Sequence, residues 1–155
     1  MIKRALLIRL PDKAVSRIIS GKQRYIFKRS APRQEFSRIE VFTDPGRPLI
    51  ILEILPGEMQ SGTVREIYDL FYRFSGMQQN EWHALFSEAQ NAAAIEIRAF
   101  QPVPEHLQFN ALEFWRLNQA PQNLCYVPHP AWALGVPETR LSTVTGELFP
   151  VMKRA

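Results

Sequence analysis

Residues 6–29, LLIRLPDKAVSRIISGKQRYIFKR, change hydrophobic period twice within a short span. Arg4 to Arg9 reads as a strand, and Leu10-Pro11-Asp12 then switches the pattern to helical. Pro11 suits the first turn of a helix, where a missing N–H costs nothing. Val15, Ile18 and Ile19 fall on one helical stripe, and Gly21 supplies the C-terminal stop. Lys13 and Arg17, one turn apart, share a different face. Gln23 to Arg29 follows as a strand rich in aromatic and β-branched residues. Alternation directs Tyr25 and Phe27 to one side and Lys22, Arg24, Ile26 and Lys28 to the other.

Working outward, residues 30–37 form a polar loop around Pro32, and Arg38 to Thr43 alternates as a strand with Ile39 and Val41 inward. Asp44-Pro45-Gly46-Arg47-Pro48 is a turn cluster. Leu49 to Leu55 is the next strand, and its apolar run implies burial on both faces. Thr63 caps a helix to about Phe74, with Glu66 completing a capping box. Its apolar stripe is Val64, Ile67, Tyr68, Phe71 and Phe74. Ser75-Gly76 breaks it before a second helix over roughly Gln78 to Ala89, with Trp82, Leu85 and Phe86 facing inward. Ala92 to Phe100 is a strand, 101–122 is loop-like or short-helical, and Asn123 to Val127 is the last strand. From Pro128 onward, Pro128, Pro130, Pro137 and Pro150 exclude a long regular element. Trp132 and Phe149 predict an arm packed on the body.

The length of 155 residues suits one domain with one core. Apolar residues at 46% and charged residues at 22% match an ordinary globular composition and exclude a disordered chain. The longest apolar run, Leu49 to Leu52, is far short of the roughly 20 residues a spanning helix needs, so no membrane association is expected. The opening MIKRALLIRLPDK is too short in apolar residues for a signal peptide. Cys125 is the only cysteine, which points to a reducing, cytoplasmic compartment. The net charge of +4 is unevenly spread. Residues 1–40 carry eleven Lys/Arg against Asp12, Glu35 and Glu40, a local net of +8, and the remainder carries −4. Such a distribution orients a molecule toward a polyanion.

Three local patterns resemble the ASCH family of PUA-like proteins. The first is residues 6–29, where a strand ends in proline, a short helix ends in Ser-Gly and a charged strand follows. The second is Ser75-Gly76-Met77 between two helices, with the strand Ala92 to Ile97 after it. The third is Pro121-Gln122-Asn123-Leu124-Cys125-Tyr126, similar to the family's late Pro-Gln-Ser-Phe-x-Tyr. The order β–α–β–β–β–α–α–β–β agrees. The resemblance implies an α+β fold, a PUA-like mixed β-barrel with flanking helices over residues 1–127; the composition from Pro128 adds an irregular Pro-rich C-terminal extension over 128–155. It also implies a cleft between barrel and helices for RNA or a modified nucleobase, and with the basic N-terminal quarter the expected partner is RNA, single-stranded nucleic acid or a nucleotide. In some small members that cleft removes the acetyl group of N4-acetylcytidine, using a Lys, a Thr and a Glu.

At those three positions this chain has Gln23, Ile26 and Ser75 (Phe74 in an alignment shifted by one). None gives or takes a proton near neutral pH without a neighbouring base. Lys22 takes the lysine's place only if a bulge turns it inward. The expectation is therefore binding, with no catalytic residue assigned; hydrolysis of a modified nucleoside or RNA, and a protein-interaction adaptor, are the alternatives. The binding candidates are Lys13, Arg17, Lys22, Arg24, Lys28, Arg29 and Arg33, groups suited to phosphate contact. Gln23, Ile26, Glu53 and Ser75 are candidates for the cleft wall. Glu53 reads either as a cleft acid or as the partner of an arginine. His83, His106 and His129 lack ligand spacing, so no metal is expected. Phosphate loops and nucleophile elbows are absent from the sequence, and no cofactor is expected.

Overall fold

A computed structural model describes residues 4–128; the arm expected around Trp132 and Phe149 lies outside the described residues. The strands are β1 (Arg4–Arg9), β2 (Tyr25–Lys28), β3 (Arg38–Phe42), β4 (Leu52–Thr63), β5 (Asn91–Pro102) and β6 (Leu124–Pro128). The helices are α1 (Asp12–Ile19), α2 (Val64–Phe71), α3 (Gln79–Leu85) and α4 (Ala111–Trp115), with 3-10 turns at Tyr72–Phe74 and Glu105–Leu107. All six strands join one curled sheet in the order β2-β5-β4-β3-β1-β6. β1 and β3 run parallel, and the other neighbours run antiparallel. The result is an α+β half-barrel of PUA-like form.

The concave side holds one core. Leu6, Ile8, Ile26, Ile39, Val41, Leu52, Ile54, Ile95 and Ile97 point into it, and Ala14, Val15 and Ile18 of α1 fill the mouth. The convex side carries two further cores. Near α4, Ala5, Leu7, Phe42, Ile50 and Ala111 pack together. Under α2 and α3, Phe27, Ile67, Trp82, Phe86 and Ala94 do so. β2 is therefore buried on both faces, and Ile26, expected beside the cations, is a core residue.

Two elements follow directly from local chemistry. α1 closes with a Schellman arrangement: Gly21 at φ +82° lets Lys22 N–H reach the Arg17 carbonyl (2.8 Å) and its own N–H reach Ile18 (3.0 Å). α2 opens with the expected capping box, Thr63 Oγ1 accepting from Glu66 N–H and Glu66 Oε1 accepting from Thr63 N–H. β4 differs from expectation. It begins at Leu52 and continues to Thr63, shifting register between Leu55 and Met59. A Cβ on Gly57 would lie 2.0 Å from Glu96 Oε1, so glycine there lets the carboxylate accept from Glu58 N–H at 3.1 Å.

The convex face also buries a polar group. Arg38 and Glu53 pair at 3.5 Å, each 1% exposed, and Glu40 stands opposite Glu53 in the ladder. Burial, reinforced by the Glu53 charge, pushes the Glu40 carboxyl well above the usual range. The folded chain thus holds a proton there that the unfolded chain releases, so stability falls as pH rises past the ordinary carboxylate range. We expect Glu40→Gln to match the native chain near pH 5 and exceed it by about 1–3 kcal/mol near pH 8. Denaturant midpoints at the two pH values check this, and a constant difference between the chains would contradict it.

Candidate functional site

α1, the turn at 21–24, β2 and α3 meet around a cavity of about 240 Å³. Its polar lining is Arg9, Lys13, Arg17, Gln23, Lys28 and Glu81, set against Leu10, Ala14, Phe27, Met77 and Leu85. Among the described residues, four cations thus face one carboxylate. Three larger depressions are more open. One, of about 600 Å³, runs along Tyr25, Glu58, Phe71, Glu96 and Arg98; a second, of about 530 Å³, lies against Tyr68, Trp82 and Phe86; the third, of about 510 Å³, includes Arg33.

Arg17 organises the cleft. Its Nε donates to Gln23 Oε1 (3.1 Å), while Nη1 and Nη2 donate to the two oxygens of Glu81 (3.1 and 2.8 Å). This fork is fixed in geometry and more strongly bound than a single ion pair. Gln23 is buried and passes its amide to the Tyr25 carbonyl (2.9 Å). Lys13 lies 3.8 Å from Glu81 with its side chain 63% exposed. Lys28 is buried, and its Nζ donates to Asn123 Oδ1 at 2.7 Å. That bond links the two edges of the curled sheet, because Asn123 directly precedes β6. Burial lowers the Lys28 pKa to about 8.

The sequence-derived candidates divide accordingly. Lys13, Arg17, Gln23 and Lys28 come together in the cleft. Lys22 and Arg29 are exposed outside it, and Arg24 is half-buried. β2 starts only at Tyr25, so Lys22 and Arg24 belong to the turn before it and do not share a strand face with Lys28. Ile26, Glu53 and Ser75 do not line the cleft. Ile26 lies in the concave core, and Glu53 pairs with Arg38. Ser75 Oγ donates to the Tyr72 carbonyl (2.7 Å) and accepts from Met77 N–H (3.1 Å), which makes it a turn residue. Tyr25 packs on Phe71 with ring centroids 4.6 Å apart. Sequence reasoning missed Arg9, Glu81 and Asn123. Glu81 carried one local signal, an acidic residue in a helix's first turn, but nothing in the sequence paired it with Arg17. Among the described residues no group of three or more His, Cys, Asp or Glu could hold a metal, and no helix is long and apolar enough to cross a membrane.

No protein-family model matches the sequence, and no curated protein does. Solved structures do match. The crystal structure of ASCH from Zymomonas mobilis aligns with TM-score 0.68 at 22% identity, covering 91% of this chain and 95% of that one. Two single-substitution variants of that protein align at 0.69, with 22% and 23% identity, covering 91% of this chain and 96% and 98% of theirs. This chain has the ASCH-domain fold. That fold accounts for 91% of the chain.

Gly76 makes room for the cleft's central side chain. It sits at φ +68°, and a Cβ there would lie 2.9 Å from Arg17 Cδ and 3.2 Å from the Lys22 carbonyl oxygen. Gly76→Ala should therefore destabilise the chain by about 1–3 kcal/mol through backbone strain and displacement of Arg17. A thermal melt with an unchanged midpoint would count against this packing. Arg17 and Glu81 are 14% and 18% exposed, intermediate between surface and interior. A double-mutant cycle to alanine should give a coupling of about 1–2 kcal/mol, above that of an exposed pair.

Proposed function

We propose that this ASCH-fold protein binds RNA, single-stranded nucleic acid or a nucleotide at the cleft between α1 and α3, in a reducing cytoplasmic setting suggested by its single cysteine. The observation that carries the reading is the cleft lining, where Arg9, Lys13, Arg17 and Lys28 face Glu81 alone. Arg17 and Glu81 neutralise one another, which leaves Arg9 and Lys13 at the rim as the accessible cations, with Lys22 and Arg29 exposed on flanking segments. These are suited to phosphates, whereas the apolar wall of Phe27, Met77 and Leu85 suits the flat face of a base or sugar. The resemblance noted from the sequence, that such clefts hold RNA or modified bases, supports the same reading.

Titration of a fluorescent single-stranded RNA tests it. With about four phosphates engaged, log K should fall against log salt with a slope near −3. Lys13→Glu combined with Lys22→Glu should weaken binding more than tenfold while leaving the fold intact, because both side chains are exposed. Lys28 is unsuited to charge reversal, since a buried carboxylate would disturb the sheet closure. No binding of RNA, single-stranded DNA or mononucleotide at low salt would eliminate the proposal.

A further inference from the structure

We propose that Lys28 is an imine-forming amine and that the cleft admits a phosphorylated aldehyde, which condenses reversibly with Lys28 Nζ. Lys28 is 7% exposed, yet no carboxylate among the described residues pairs with it. Its hydrogen-bond partner is the neutral carboxamide of Asn123. The charged groups lining the same cavity are Arg9 at the end of β1, Lys13 and Arg17 on α1, and Glu81 on α3. Glu81 is the one anion among the described lining residues; Arg17 holds both its oxygens, and Lys13 Nζ lies 3.8 Å from one of them. Apolar side chains, Phe27, Met77 and Leu85, complete the wall.

A lysine meant only to hold phosphate belongs where its charge is favoured, in water or beside a carboxylate. This one is desolvated in a cavity whose described lining holds three other cations and no carboxylate partner for it, and desolvation is an arrangement that activates lysine as a nucleophile. With its pKa lowered to about 8, roughly one-tenth is free amine at pH 7, a few hundred times the fraction of an exposed lysine. Arg9 and Lys13 at the rim remain available for a phosphate on the same ligand. In the condensation, the nitrogen lone pair attacks the carbonyl carbon and forms the C–N bond. The carbonyl oxygen then leaves as water with two of the ammonium's three protons, giving a protonated imine of unchanged total charge. No oxidant or reductant takes part.

Two sources offer this chemistry: a free sugar phosphate in its open-chain form, and the ring-opened sugar of a nucleotide that has lost its base within a strand. Only the second rests on the nucleic-acid reading of the cleft. The full chain should be incubated at pH 7 with sodium cyanoborohydride and either ribose 5-phosphate or a single-stranded oligonucleotide carrying one abasic site. Peptide mass mapping then locates the reduced adduct. We expect one adduct per chain, on Lys28, at least tenfold over Lys13 and Lys22 in the same sample, from one or both ligands. Lys28→Arg, checked for folding by circular dichroism, should lose it. Adducts distributed over exposed lysines, or formed equally in Lys28→Arg, would overturn the proposal; the comparison within the native chain stands even where that variant does not fold. Binding of intact RNA is measured on the same preparation. RNA binding without a Lys28 adduct overturns imine formation alone, whereas a ribose 5-phosphate adduct without RNA binding overturns the RNA reading alone.

Discussion

The cleft depends on one side chain, because every nitrogen of the Arg17 guanidinium has an assigned partner. Nε is held by Gln23 from the turn, and the two terminal nitrogens by Glu81 from α3. The same residue's carbonyl receives N–H bonds from Lys22 and Gln23 and so ends α1. Arg17 therefore fixes the helix terminus, the entry angle of β2 and the distance to α3. A planar, permanently charged fork can do this where a lysine cannot, since lysine offers a point charge without fixed directions. The exposed Arg65–Asp69 pair on α2, with both side chains largely in solvent, constrains nothing comparable.

This arrangement changes what the basic N-terminal quarter means. Counted along the sequence, its eleven cations look interchangeable. In the fold they divide by solvation. Lys13, Lys22, Arg29 and Arg33 remain exposed and available. Arg17 is neutralised, Arg38 is buried against Glu53 on the far side of the sheet, and Lys28 lies in a low-dielectric cleft. Long-range attraction of a polyanion draws on the first group, while shape and local chemistry depend on the second.

What the sequence made legible was set by short separations. The Gly21 stop of α1, the Thr63–Glu66 box and the breaker at Ser75-Gly76 each span only a few residues and are present as read, while the α1 stripe buries Val15 and Ile18 with Ala14 and leaves Ile19 exposed. The misreadings involve contacts between distant residues. The second half of β4 looks like a loop because Pro56-Gly57 and the polar run after it carry no strand pattern; pairing of Met59 to Thr63 with Ile95 to Asn91 makes it a strand. β2 looked one-sided because charged residues alternate along it, yet α2 and α3 cover its outer face while α1 plugs the inner. Arg17 meets Glu81 across 64 residues and Lys28 meets Asn123 across 95, separations at which one sequence carries no periodic signal.

Gln23 has a consequence beyond its own hydrogen bonds. Gln23 is neutral and supplies the oxygen that orients Arg17 Nε. So oriented, Arg17 takes both oxygens of Glu81, the one carboxylate lining the cavity. Lys28 is then left with a carboxamide partner, and burial acts on its charge unopposed. A lysine at position 23 would compete for Glu81 and place a second cation beside Arg17. Gln23, Arg17 and Glu81 thus form one closed set of contacts, and Lys28 stands outside it on the same cavity wall.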